Sequence, residues 1–208
     1  MSSSSLALPR RRPTVLADLV PGAAVRDVAT VLAGAALVGA SAQVVVHLGF
    51  TPVPVTGQTF GVLVTGCALG WRRSAAALAL YLVAGWLGLP WFVGHTAGWQ
   101  GPSMGYVFGF VAAGAVCGYL AERGADRRVL WALPAMLAGE VVIFAFGVAW
   151  LAVDLHVGLA RAIALGLTPF LAGEAVKAVL AAGLLPGVWR LTRVPDEPRA
   201  SRGDAVGR

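Results

Sequence analysis

Glu174 and Lys177 are the pair of side chains in this sequence with the most chemistry to offer. They lie in the stretch TPFLAGEAVKAVLAAG, residues 168–183, and Lys177 is the single lysine of the 208-residue chain. Three residues apart on a helix, they share one face, with the acid on the N-terminal side where pairing is favoured. An ionised group at mid-bilayer costs about 2.5 to 3.5 kcal/mol on insertion scales, so a charged pair in an apolar helix usually faces a cavity or the bundle interior. Such a pair offers a carboxylate acceptor and an ammonium donor to one polar ligand. It can equally be a structural ion pair pinning two helices, and the spacing alone leaves both readings open. Glu140, the other acid in a long apolar run, is a weaker candidate, because a lone glutamate on a helix flank is more often hydrogen-bonded packing than a proton relay.

The elements that hold this pair must be membrane helices. With 58% hydrophobic and 12% charged residues, the charged fraction is about half that of a soluble domain, and the chain reads as an integral membrane protein. The net charge of +6 comes from short arginine clusters between apolar runs. Membrane orientation explains that pattern and nucleic acid does not. Cys67 and Cys117 lie inside apolar runs without metal-ligand spacing and read as core packing, so no disulfide, zinc or other cofactor is expected.

Residues 1–27 are polar and arginine-rich and read as a tail with a short lead-in. The apolar run Val28 to Leu48 is about 20 residues, a spanning length rather than a signal-peptide core. Ala29, Ala33, Ala36 and Ala40 give this first helix small residues at four-residue spacing, a face that lets another helix approach closely. Pro52 and Pro54 then impose extended backbone, and Thr56 can cap a helix beginning near Gln58. Only about 13 residues remain before Arg72 and Arg73, fewer than the roughly 20 a full span needs. The polar start of this second helix, Thr56, Gln58 and Thr59, therefore lies at membrane depth and borders a cavity. A third helix is predicted over Ser74 to Leu89, a fourth over Gly105 to Ala121, a fifth over Val129 to Val153, and a sixth over Leu159 to Leu191 bent near Pro169. Between the third and fourth runs the glycine-rich loop Val93 to Met104, with Trp99, Gln100 and Ser103, can fold over a ligand or form an interfacial hairpin. Residues 192–208 form a second polar tail.

With six spanning helices, the arginines of the N-terminal tail, Arg72, Arg73, Arg123, Arg127, Arg128, Arg190 and Arg193 fall on one side, and the opposite links carry only Arg161. The positive-inside rule then makes both termini cytoplasmic. Thr56, the glycine-rich loop and the Glu174 end of the last helix lie towards the outside, where a site captures an external solute.

Four ordered segments, PVPVTGQTF, the WRR opening of the third helix, GPSMGYVFGF and PFLAGEAVK, resemble the BioY family of biotin transport proteins over nearly all of Val28 to Leu191. The resemblance implies a six-helix S-component fold in the cell membrane, the biotin-binding subunit of an energy-coupling factor transporter. It also implies a transmembrane coupling protein and two cytoplasmic ATPases as partners, with the alanine face of the first helix as the docking surface. Two positions depart from the family pattern: Glu174 stands where the family usually has Asp, and Met104 where its loop usually has glycine.

The residues suit the ligand so implied. Biotin's ureido group presents two N–H donors and a carbonyl acceptor, which Glu174 and Lys177 can serve from one helical turn. Tyr81, Trp99, Tyr106 and Phe170 suit its apolar ring and chain, Thr56, Gln58, Gln100, Gly101 and Ser103 are polar or backbone contacts, and the helix start near Gly105 suits its carboxylate.

Two other classes compete. Gly101–Gly105 formally matches the serine-nucleophile pattern G-x-S-x-G, but no strand precedes it and His47, His95 and His156 have no evident orienting acid. A proton-coupled secondary transporter through Glu140, Glu174 and Lys177 would fit the buried charges, yet the sequence shows no pair of broken halves. The chain carries no phosphate-binding G-x-x-x-x-G-K-[ST] motif, so ATP energy has to come from a partner.

Overall fold

The computed structural model of the chain describes residues 14–192. Its helices are α1 (Ala23–Ser41), α2 (Gln58–Leu69), α3 (Trp71–Trp86), α4 (Met104–Glu122), α5 (Val129–Asp154), α6 (Leu159–Gly166) and α7 (Leu171–Thr192). Among the described residues, four helical stretches, 24–41, 101–122, 129–154 and 159–192, are long and apolar enough to cross a membrane. The last is broken, as expected at Pro169, by a 3-10 turn over Thr168–Phe170. A proline just inside a helix start costs no hydrogen bond, so Pro169 separates α6 from α7 while Pro186 is carried within α7.

α1 sits several residues earlier than the sequence predicts. It begins at Ala23 and stops at Ser41. Past Ser41, the Gln43 amide donates to the carbonyls of Gly39, Trp91 and Phe92 at 3.0, 3.3 and 3.1 Å, and His95 N–H donates to Gln43 Oε1 at 3.1 Å. Val45–Val46 then pairs antiparallel with Val55–Thr56 in a two-residue ladder, β1 and β2. An apolar β-branched run cannot be told from helix by periodicity alone, and here the strand pairing wins. The lead-in is also anchored: Val15 and Ala17 are buried, and Arg73 on α3 binds Asp18 and Asp27 at 2.9 Å each.

α4 is the central helix, packed on α5, α2 and α3, while α1 lies outside against α3 and α2 and α7 closes on α5 and α2. Glycines allow the closest approaches. A Cβ at Gly105 would stand 2.1 Å from Trp150 Cβ, and one at Gly118 2.4 Å from the Trp71 backbone. Such contacts suit helices in lipid, where close backbone packing rather than a hydrophobic drive holds the bundle. Cys67 and Cys117 are free, buried thiols in this packing, as their apolar setting implies.

Candidate ligand-binding site

A small cavity of about 50 Å³ opens where β2, the start of α2, the 93–103 loop, α4, α5 and α7 converge. Its apolar wall is aromatic: Tyr106, Phe110, Phe144, Phe170 and Phe92 all line it. Its polar groups are Thr56, Gln58, Thr59, Gln100, Ser103 and Glu174.

The carboxylate and ammonium of α7 meet the start of α2. Lys177 Nζ donates to Glu174 Oε1 at 2.7 Å, to Thr56 O at 2.6 Å and to Thr59 Oγ1 at 3.0 Å, so all three ammonium protons have acceptors. Thr59 Oγ1 in turn donates to Glu174 Oε2 at 2.6 Å. Glu174 is 4% exposed and forms part of the cavity wall, while Lys177 stands behind it and touches the wall through Thr56 and Thr59. The short second helix makes this possible. The N-cap of α2 is Gly57 rather than the expected Thr56, without a side-chain cap; Gln58 N–H still reaches Thr56 Oγ1 at 3.3 Å, and the Thr56 carbonyl is left for the lysine.

Further contacts fix the wall, some of them from groups behind it. Tyr81 is fully buried and accepts from Gln58 Nε2 at 2.7 Å, its ring tilted against Trp91 and edge-on to Phe92, so it orients Gln58 from behind. Tyr106 donates to Gly166 O at 2.7 Å, and a Cβ at Gly147 would stand 2.2 Å from its ring. That ring is locked between α5 and α6. Trp99, 51% exposed, packs on Trp86, Phe108 and Trp150 outside the cavity. Gly101 O accepts from Trp150 Nε1 at 2.9 Å, and Gly105 is a helix-packing position against the same tryptophan. The loop itself contributes Phe92, Val93, Gln100 and Ser103 to the wall. Met104, fully buried, opens α4 with ordinary helical angles, so the departure from glycine there is absorbed as core.

The structure thus brings Thr56, Gln58, Gln100, Ser103, Tyr106, Phe170 and Glu174 to one cavity, and places Tyr81, Trp99, Gly101, Gly105 and Lys177 behind or beside it. Val107, Phe110 and Phe144 were not singled out from sequence. Tyr106 and Phe110, four apart on one helix face, were the available signal. Glu140 lies elsewhere: it lines a larger groove of about 720 Å³ between α5 and the α6–α7 limb, which Glu174 and Phe144 also border, and its buried Oε1 has no hydrogen-bond partner. Ser103 ends the 3-10 turn Gly101–Ser103, and the described strands, 45–46 and 55–56, lie far from it in sequence, so the strand–turn–helix setting of a nucleophilic serine is not formed. Among the described residues no cluster of three His, Cys, Asp or Glu is placed to hold a metal.

A family model described as the BioY family matches residues 11–194. The chain belongs to the BioY family. It is similar to the biotin transporter BioY of Rhizobium etli, with 36% identity over 165 residues that cover 74% of this chain and 88% of the relative. The biotin transporter BioY of Thermotoga maritima is 37% identical over 150 residues, 71% and 86% of the two chains. The fold is that of a crystal structure described as the S-component for biotin from an ECF-type ABC transporter, at a TM-score of 0.73 and 22% identity over 80% of this chain and 92% of the other. With its apolar spans, this BioY family chain is a multi-pass protein of the plasma membrane.

Proposed function

We propose that the chain is a biotin-capturing membrane subunit, a transport component rather than an enzyme, that delivers its ligand with the help of an ATP-driven coupling module. The observation that carries this reading is Glu174, a buried carboxylate set in the wall of a cavity that joins aromatic and neutral polar side chains, and already charge-compensated by Lys177. The ureido N–H groups of biotin donate to Glu174, and Lys177 exchanges one of its present acceptors for the ureido carbonyl. Tyr106, Phe110, Phe144 and Phe170 take the apolar ring and chain. Gln58, Thr56, Gln100 and Ser103 supply the remaining polar contacts, Ser103 at the loop-to-helix junction towards the ligand carboxylate. The relatives' names and the solved S-component support this ligand class.

In this reading α1, α2, α3, α4, α5 and the α6–α7 limb all cross the bilayer around residues 28–191, both termini and the tails 1–27 and 192–208 are cytoplasmic, and the cavity opens outward. The arginine bias supports that orientation. A transmembrane coupling protein and two cytoplasmic ATPases supply the energy, because the chain has no nucleotide-binding motif of its own.

The competing reading is a proton-coupled transporter through Glu140, Glu174 and Lys177, favoured by the orphaned Glu140 oxygen beside the groove that Glu174 shares. Liposomes holding this chain alone, given an imposed pH gradient, separate the two. No accumulation of labelled biotin is expected without the coupling module and ATP. Gradient-driven accumulation by the chain alone would replace the ATP-coupled reading with the proton-coupled one.

A further inference from the structure

The loop that leads into α4 gives the ligand cavity Phe92, Val93, Gln100 and Ser103. Backbone bonds within it, such as Phe92 N–H to Thr96 O at 3.0 Å, leave other carbonyls and N–H groups to be satisfied from outside. Two side chains that stand outside the cavity wall do this, one at each foot of the loop. Gln43, just past the end of α1, grips the first foot with both ends of its amide. Its Nε2 donates to Trp91 O and Phe92 O at 3.3 and 3.1 Å, and its Oε1 accepts the His95 N–H at 3.1 Å. The His95 backbone is left-handed at φ 58°, uncommon outside glycine, and the Gln43 bond to its N–H helps hold it there.

At the second foot, Trp150 of α5 donates its indole N–H to Gly101 O at 2.9 Å, next to Gln100. The indole is itself fixed, edge-on to Trp99 and Phe108 with centroids 5.4 and 6.0 Å away. Between the feet, Thr96 Oγ1 donates to Gln100 Oε1 at 3.1 Å, so a shift at either end reaches a polar group of the wall. Neither Gln43 nor Trp150 needs to touch the ligand to affect it. A wall ordered before the ligand arrives spares binding the cost of ordering it, and loss of that order is felt mainly as faster dissociation.

We infer that Gln43 and Trp150 are positioning residues, which set the loop so that Phe92 and Gln100 stand where the ligand meets them. This role rests on the biotin-binding reading. Hydrogen exchange of the purified full chain without ligand, together with biotin binding kinetics, tests it in Gln43→Leu and in Trp150→Phe, which keeps an aromatic ring but has no N–H. Loss of one hydrogen bond shifts an equilibrium roughly 2- to 12-fold, so each variant should bind biotin more weakly by about that factor, chiefly through faster dissociation. Backbone exchange over residues 92–103 should speed up by a similar factor. Thermal midpoints and exchange in α4 and α7 should match wild type, which a general loss of packing would not allow. Phe108→Leu, which loosens the same aromatic packing without removing a bond to the loop, should leave dissociation and loop exchange unchanged. Wild-type exchange over 92–103 in both variants, faster exchange with unchanged biotin affinity, or an equal loss in Phe108→Leu overturns the proposal. If wild type itself fails to bind biotin, the biotin reading falls, while exchange of the unliganded loop still decides whether these two side chains hold it.

Discussion

Glu174→Ala is expected to weaken biotin binding roughly 5- to 150-fold while the protein still inserts and folds, because the ligand's two N–H groups then enter a dry cavity without their acceptor, at about 1 to 3 kcal/mol. Lys177→Ala should be at least as damaging, since it strips Glu174 of its counter-charge as well as removing the donor to the ureido carbonyl. The pair could in principle act only as a strut between α7 and the start of α2, given its bonds to Thr56 and Thr59. The double variant Glu174→Ala, Lys177→Ala distinguishes the two roles. Removing both partners of a buried ion pair costs far less stability than removing one, so thermal stability should largely recover. Biotin binding should not recover, because neither half of the ureido group regains its partner. Titration calorimetry alongside thermal unfolding checks both, and recovery of binding in the double variant would reduce the pair to a strut. Glu174→Asp, the commoner residue in the family, should keep most of the affinity.

Placing tryptophan at Ala33 or Ala36 is expected to abolish co-purification with the coupling protein and cellular biotin uptake, with the affinity of the isolated chain intact. The physical basis is the lipid environment. Helix association there depends on close backbone approach across small side chains, so one indole on that face holds the helices apart. Ala29, Ala33, Ala36 and Ala40 are all exposed along α1, and among the described residues α1 packs mainly through its other side, against α3 and α2. The inward positions Ala35 and Val38 are fully buried and carry the fold. The variant residues lie on a helix that does not line the cavity, which is why binding and assembly should separate. Normal assembly of both variants, or a loss of binding equal to the loss of transport, would place the docking surface elsewhere.

Much of this arrangement is legible in the sequence because membrane helices announce themselves by length and by their breaks. The start of α2 at Gln58, the short reach of α2 and the interruption at Pro169 all follow from single residues with a local mechanism. The end of α1 was not legible. Val44, Val45 and Val46 extend an apolar run that reads as helix, and only the pairing with Val55–Thr56 and the long-range bonds of Gln43 turn it into a strand. The site divides along the same line. That Glu174 and Lys177 share a face is a matter of helical spacing, whereas the bridge from Thr59 to Glu174 and the capture of the Thr56 carbonyl by Lys177 join residues 115 and 121 apart. Sequence types alone likewise grouped Tyr81 and Trp99 with the wall. The first is drawn behind Gln58 by its hydroxyl, and the second joins an external aromatic cluster with Trp150 and Phe108.

Isothermal titration of the purified chain with biotin, desthiobiotin and thiamine tests the central claim most directly. Saturable biotin binding is expected, with weaker binding of desthiobiotin, which keeps the ureido group for Glu174 and Lys177 but lacks the thiophane ring that the aromatic wall encloses, and with no binding of thiamine. Absence of biotin binding, or thiamine binding of equal strength, would contradict it.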